Sequence, residues 1–225
     1  MITLQEWKAM SGKEQTIWLE ENTELSRRSE SQRGMVKGVG VNDAPYCITH
    51  RMDGKQVSCP AYIAWESMLK RAYSNKFHEK YKTYKSVSVC EEWHSFMSFR
   101  KWWIENKVDG WEVDKDILSD PGVYSPETCV FVPSWLNSFT IDCGAARGAY
   151  PIGVTLHNGT GRFRARCSDP VAKKLEHLGI FHTPEEAHLA WRARKLELAL
   201  ELKPKMDSID LRIYPRVIEI INNAK

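Results

Sequence analysis

The sequence predicts an α+β protein: N-terminal helices, a central strand–loop–strand–helix core, and a C-terminal three-stranded antiparallel sheet packed on one helix. Three observations carry that expectation. Two capping boxes open the chain, so it begins in helices. Short β-rich runs bounded by turn residues alternate with aromatic stripes at helical spacing through the middle. Near the C-terminus, three strand-like runs precede one long helical pattern.

Taking the elements in order, Thr3-x-x-Glu6 and Ser11-x-x-Glu14 each place a hydroxyl at an N-cap and a carboxylate three residues on. They predict a short helix from about residue 4 and a longer one over 12–30, with Trp18 and Leu25 on its apolar side. Residues 1–33 then form an N-terminal helical segment. Asp53-Gly54 is a hairpin signal, because both residues tolerate positive φ, so strands are expected near 45–51 and 55–59. Pro60 suits a first helical residue, and Tyr62, Trp65, Met68, Leu69 and Tyr73 follow at helical spacing over 60–74. Residues 87–90 read as a short strand, and 91–106 as a second aromatic-faced helix built on Trp93, Phe96, Phe99 and Trp103. Aromatic stripes of this kind belong in a core.

A compact unit follows at about 111–140. Residues 111–118 read as a strand, 119–126 as a loop, 128–132 as a strand and 133–140 as a short helix opened by proline. Small residues over 141–150 mark a linker. Strands are expected near 152–157, 161–167 and 174–181, with a turn at Asn158-Gly159. Thr183-Pro184-Glu185-Glu186 places an N-cap, a proline at N1 and acids in the first turn of a helix that should stop near Leu202, before Pro204. One more helix is expected within 204–225.

Composition bounds the function. Among the 225 residues 42% are apolar and 27% charged, as in a folded globular protein. No run approaches the roughly 18 apolar residues of a membrane span. The N-terminus lacks a signal peptide's basic start and apolar core, so a cytoplasmic protein with no membrane partner is expected. The six cysteines are scattered without a C-x-x-C pair, which favours small buried residues over a zinc ribbon, so no zinc is expected. A zinc site drawn from distant cysteines with His50 or His94 is the minor alternative. The net charge of +3 permits nucleic-acid binding without requiring it, so the placement of the basic residues decides.

The most informative stretch is Gly161-Arg162-Phe163-Arg164-Ala165-Arg166-Cys167. In a strand, strict alternation puts Arg162, Arg164 and Arg166 on one face and Phe163, Ala165 and Cys167 on the other. The arginines form a row about 13 Å long at roughly 3.3 Å per residue. Guanidinium forks suit guanine edges and phosphates. A solvated face that protects a sheet edge is the competing reading. The run Gly153-Val154, Gly161-Arg162-Phe163-Arg164-Ala165, then His177-Leu178-Gly179-x-Phe181-x-Thr183-Pro184-Glu185-Glu186-Ala187-x-x-Ala190-Trp191 resembles the plant ethylene-response-factor DNA-binding domain (the APETALA type) over about fifty residues. That resemblance implies a domain at 151–203 whose sheet reads the DNA major groove. It implies Arg162, Arg164 and Arg166 as contacts, with His157 and Lys174 on the flanking strands as weaker ones, and Trp191 as core.

The centre of the chain carries a second resemblance. Trp111-Glu112-Val113-Asp114-Lys115-Asp116-Ile117-Leu118, Tyr124-Ser125-Pro126-Glu127-Thr128-Cys129-Val130-Phe131-Val132-Pro133 and Asn137 are similar to the HNH (His-Me finger, ββα-metal) core of phage and intron homing endonucleases. Upstream, Trp65-x-x-Met68-Leu69-x-Arg71-x-Tyr73 and Cys90-x-Glu92-Trp93-x-x-Phe96 look like the stretches that accompany this core, giving an HNH-like domain over 34–140. The resemblance implies a metal-dependent DNA endonuclease. Asp114 and Asn137 match its two metal-ligand positions, for a magnesium-class divalent ion. Lys115 stands where that family has the catalytic histidine. Lysine acts as a base near neutral pH only when its surroundings strip its proton, and otherwise grips phosphate. The expected partner is double-stranded DNA, with a host or phage protein partner also open. A catalytically silent DNA-binding or regulatory protein reusing both modules is the alternative.

Overall fold

A computed structural model describes residues 2–119, 122–140 and 149–225. The linker expected over 141–150 lies outside the described residues except for its last two positions. The fold is α+β, with small separate sheets. The chain divides into two compact units, Met1–Asp116 with Asp120–Phe131, and Ile117–Ser119 with Val132–Lys225.

In the first unit, α1 (Leu4–Ala9) and α2 (Gly12–Asn22) both open on complete capping boxes. The helix expected over 12–30 ends earlier. Thr23 leaves helical geometry, its hydroxyl donating to the Leu19 carbonyl at 2.7 Å and accepting from the Cys47 amide at 3.0 Å. A short α3 (Arg27–Ser31) restarts behind Ser26. β1 (Thr49–Met52) and β2 (Lys55–Ser58) form the expected hairpin, and Asp53 and Gly54 at its turn hold φ of 49° and 76°. α4 (Pro60–Tyr73) buries Trp65, Met68 and Leu69 as the spacing requires. α5 (Asn75–Lys80) has no apolar periodicity to announce it and was not expected. The helix expected over 91–106 breaks at Ser95, whose Oγ caps the Ser98 amide and donates to Asp43. Glu91–His94 is a 3-10 turn and α6 (Phe96–Asn106) follows.

The aromatic stripes are core. Trp65, Trp93, Phe96 and Phe99 are buried together, and the Trp65 indole N–H donates to the Trp93 carbonyl at 2.7 Å. The first 33 residues are part of this unit rather than a separate segment. Trp7 and Leu19 join its core, and Arg33 donates to the carbonyls of Asn42, Ala44 and Tyr46. β3 (Ser88–Val89) pairs in parallel with β5 (Val123–Tyr124), and β4 (Glu112–Asp114) pairs with β6 (Val130–Val132). α7 (Ser134–Thr140) follows, completing the expected strand, strand, helix order. The strands are shorter than the sequence suggests, and the boundary between units falls at 131/132, so α7 belongs to the second unit.

The second unit holds β7 (Val154–His157), β8 (Arg162–Asp169) and β9 (Lys174–Phe181) as an antiparallel sheet in that order. α8 (Pro184–Asp207) packs on it and starts on the expected Thr183 capping box. It runs through Pro204 instead of stopping at 202. A proline inside a helix costs about 3 kcal/mol. The extra turn buries Met206, and α9 (Ile213–Asn223) contributes Ile213, Val217 and Ile221 to the buried set on its side. Of the five described cysteines, all free, Cys59, Cys129 and Cys167 are buried.

Candidate nucleic-acid interface

β8 presents Arg162, Arg164 and Arg166 on one face, and Ala165 and Cys167 buried on the other. Residues directly opposite in an antiparallel pair share a face. His157 stands opposite Arg162, Thr155 opposite Arg164 on one flank and Ile180 on the other, and His177 opposite Arg166. His157 is therefore brought onto the arginine face as the sequence suggested. Its Nδ1 lies 2.9 Å from the Thr160 hydroxyl.

Lys174 is not on that face. The β8–β9 register shifts between Ala165 and Arg166, whose partners are Gly179 and His177. Leu178 is the extra residue, a bulge on β9. A one-residue bulge inverts which side chains of a strand point to which face. Beyond it, Lys174 pairs with Asp169 and Glu176 with Cys167, so both share the helix side of the sheet. Without the bulge, Lys174 and Glu176 would both join the arginines. His177 takes that place instead. Sequence reasoning missed His177 because the only signal for the bulge is the Leu178-Gly179 step, where Gly179 holds φ of 138°.

The bulge also sets the charge of the face. Glu176 accepts from Arg194 of α8 at 2.7 and 3.2 Å, and that guanidinium holds its carboxyl below the usual range. Arg194 is also bound by Glu197 and Glu201. On the outer face the register places no acidic residue. Among the described residues no ion pair or side-chain hydrogen bond engages Arg162, Arg164 or Arg166, and Arg164 Nε is buried without a partner. Arg162 is exposed, and Arg164 and Arg166 are half-buried.

The inner face is fixed by close approach. Gly153 holds φ of 82°, and a Cβ there would stand 2.2 Å from the Trp191 ring. Val154, Ala165 and Ala187 form the small core around it, with Phe163 packed against them. His188 stacks on Trp191 with centroids 5.2 Å apart, and its Nδ1 lies 2.9 Å from the Ile152 carbonyl. Trp191 is thus core, as expected.

The candidate metal-centre residues divide between the units. Asp114 ends β4 in the first unit, and its Oδ1 accepts the Asp116 amide at 2.8 Å. Asn137 lies half-buried on α7 in the second. Lys115 is only 6% exposed. Its ammonium pairs with Asp116 and lies 5.6 Å from the ring centres of Tyr84 and Tyr124. A carboxylate and two ring faces suit a cation. His94 Nε2 is 3.2 Å from the Tyr73 hydroxyl, and His50 packs on Trp18. Among the described residues no three His, Cys, Asp or Glu side chains gather into a metal-holding group. Beside β4 lies a cleft of about 470 Å³ lined by Trp103, Trp111, Phe131, Tyr124, Arg71 and Glu112 among others. Burial pushes the Tyr124 phenol up to about 12 against the pull of Arg71.

Among the described residues, no helix is long and apolar enough to cross a membrane. No family model, curated protein or solved structure matches this chain.

Proposed function

We propose that the protein binds double-stranded DNA through the outer face of the β7–β8–β9 sheet. One observation carries this reading: a row of three unpaired arginines, flanked by His157 and His177, on a face from which the bulge at Leu178 removes the nearest acid. A solvated edge-protecting face has no need of such segregation, whereas a polyanion does. The likeness of this stretch to the ethylene-response-factor domain points the same way. The same reading places the protein in the cytoplasm with its DNA. The test is titration of the full chain against duplex DNA at two salt concentrations, beside the Arg162→Ala/Arg164→Ala/Arg166→Ala variant. The parent should bind at least tenfold more tightly at low salt. Equal affinities would remove the sheet from consideration.

Metal-dependent cleavage of that duplex is a second reading. It is favoured by the β4, β6, α7 order with Asp114 ending the first strand, and by the likeness to HNH homing endonucleases. Asp114, at the end of β4, would contribute a ligand to a magnesium-class ion, which would polarise the scissile phosphate. Nicking of supercoiled plasmid with magnesium or manganese, lost in Asp114→Ala, tests it. No nicking with either metal leaves a binding protein.

A further inference from the structure

Lys174, turned away from the arginine face, lines a different feature. A cleft of about 670 Å³ in the second unit is bounded by α7, the β8–β9 turn and the end of α8. Its basic residues are Lys173, Lys174 and Lys205, its aromatic is Trp135, and Ser134, Ser138 and Ser168 supply hydroxyls. The three lysines are exposed, and among the described residues none of them is in an ion pair. The one acid in the lining, Asp169, is engaged by the turn itself: its Oδ1 accepts the amides of Val171 and Ala172, each at 2.9 Å. Lys173 holds φ of 53°, an unfavoured backbone conformation for a side chain of its kind, within this turn.

We propose that this cleft binds a single nucleic-acid strand, with the lysines on successive phosphates and the Trp135 ring against an unpaired base. Three features choose that ligand. Lysines and hydroxyls around a cleft suit phosphate oxygens. An aromatic ring among them adds stacking that only an unpaired base can accept, because a duplex keeps its base faces covered. The register places Lys174 on the opposite side of the sheet from Arg162, Arg164 and Arg166, so this lysine is not part of the arginine row. The proposal is independent of the duplex reading: either surface works without the other.

The experiment uses the full chain, a labelled twelve-nucleotide oligothymidine and a twelve-base-pair duplex. The variants are Lys173→Ala/Lys174→Ala/Lys205→Ala, Trp135→Ala, Trp135→Phe and the triple arginine variant. All three lysines are exposed, so their replacement leaves the core intact. The lysine variant should bind the oligothymidine at least tenfold more weakly, with a salt slope shallower by about 2, from roughly 0.7 per phosphate contact. Trp135→Ala should weaken it about tenfold, and Trp135→Phe should recover most of that because the ring persists. The triple arginine variant should keep oligothymidine binding while losing the duplex. The proposal is overturned if the lysine variant binds the oligothymidine as the parent does, or if only the arginine variant loses it. It is equally overturned if an acidic peptide of matched charge competes as well as the oligothymidine, since the cleft would then read charge alone.

Discussion

Lys195 shows how one residue couples packing to pH. It sits on α8, 8% exposed, with its Nζ 3.6 Å from the centre of the Phe139 ring and near the buried Cys167 thiol. Burial pushes its pKa down to about 8. In the unfolded chain the amine titrates near 10.4. Below pH 8 both states carry the proton and the folded state bears the full cost of a buried ammonium. Between about 8 and 10.4 the unfolded chain holds more protons, so the stability contribution of this group rises with pH. The cost at neutral pH is at most about 3 kcal/mol, at 1.36 per pKa unit, and the ring face recovers part of it. Lys195→Met should therefore raise the urea midpoint at pH 7, and the gap to the parent should shrink at pH 9.5. A gap that is constant across that range means that Lys195 is not desolvated. At the other buried lysine, Lys115→Ala should cost about 1–2 kcal/mol, because it leaves the two tyrosine faces without their cation while Asp116 regains water. Duplex binding at the arginine sheet should be unchanged in that variant. Loss of duplex binding by a variant that still folds would give Lys115 a role beyond anchoring.

At the scale of elements, β9 and α8 carry the lessons. Strict alternation in β8 was legible in the sequence, and so was the three-arginine face. The parity of β9 was not, because a bulge depends on how two strands meet and not on the alternation within either. That single inserted residue moved Lys174 and Glu176 to one side and His177 to the other. Gly153 falls within the strand expected near 152–157, and its role as the floor beneath Trp191 was not legible. Gly153→Ala should cost about 2–4 kcal/mol through both the positive φ and the clash with the ring, read as a lowered thermal midpoint. A wild-type midpoint would mean that the sheet and α8 pack less closely. In α8, Pro204 looked like a stop and is an interior residue. It is exposed, so Pro204→Ala should restore the missing amide donor and raise stability by about 1–3 kcal/mol in urea unfolding. Destabilisation instead would mean that α9 depends on the proline geometry.

At the scale of the whole molecule, a net charge of +3 understates the electrostatics. Arg194 is neutralised by three glutamates on the helix side, whereas Arg162, Arg164 and Arg166 share a face without acids. Duplex affinity should therefore fall steeply with salt, with a log–log slope near −3 if each arginine neutralises one phosphate at about −0.9 apiece. The triple arginine variant should show a slope close to zero. A parental slope near zero would place the duplex elsewhere or nowhere.

What the sequence by itself determined is whatever depends on short-range chemistry. The capping boxes at Thr3, Ser11 and Thr183, the Asp53-Gly54 turn, the aromatic core stripes and the arginine row are set by neighbours within a few residues, and the structure holds all of them. What only the tertiary structure decided depends on partners far along the chain. Thr23 ends α2 where its hydroxyl meets Cys47, and Ser95 opens α6 with its hydroxyl given to Asp43. α7 falls in the second unit, where it contacts α9 and its Phe139 ring meets Lys195 of α8. Lys174 left the arginine face because strand pairing, which sums hydrogen bonds and burial over both strands, favoured a bulge that the alternation within either strand does not announce.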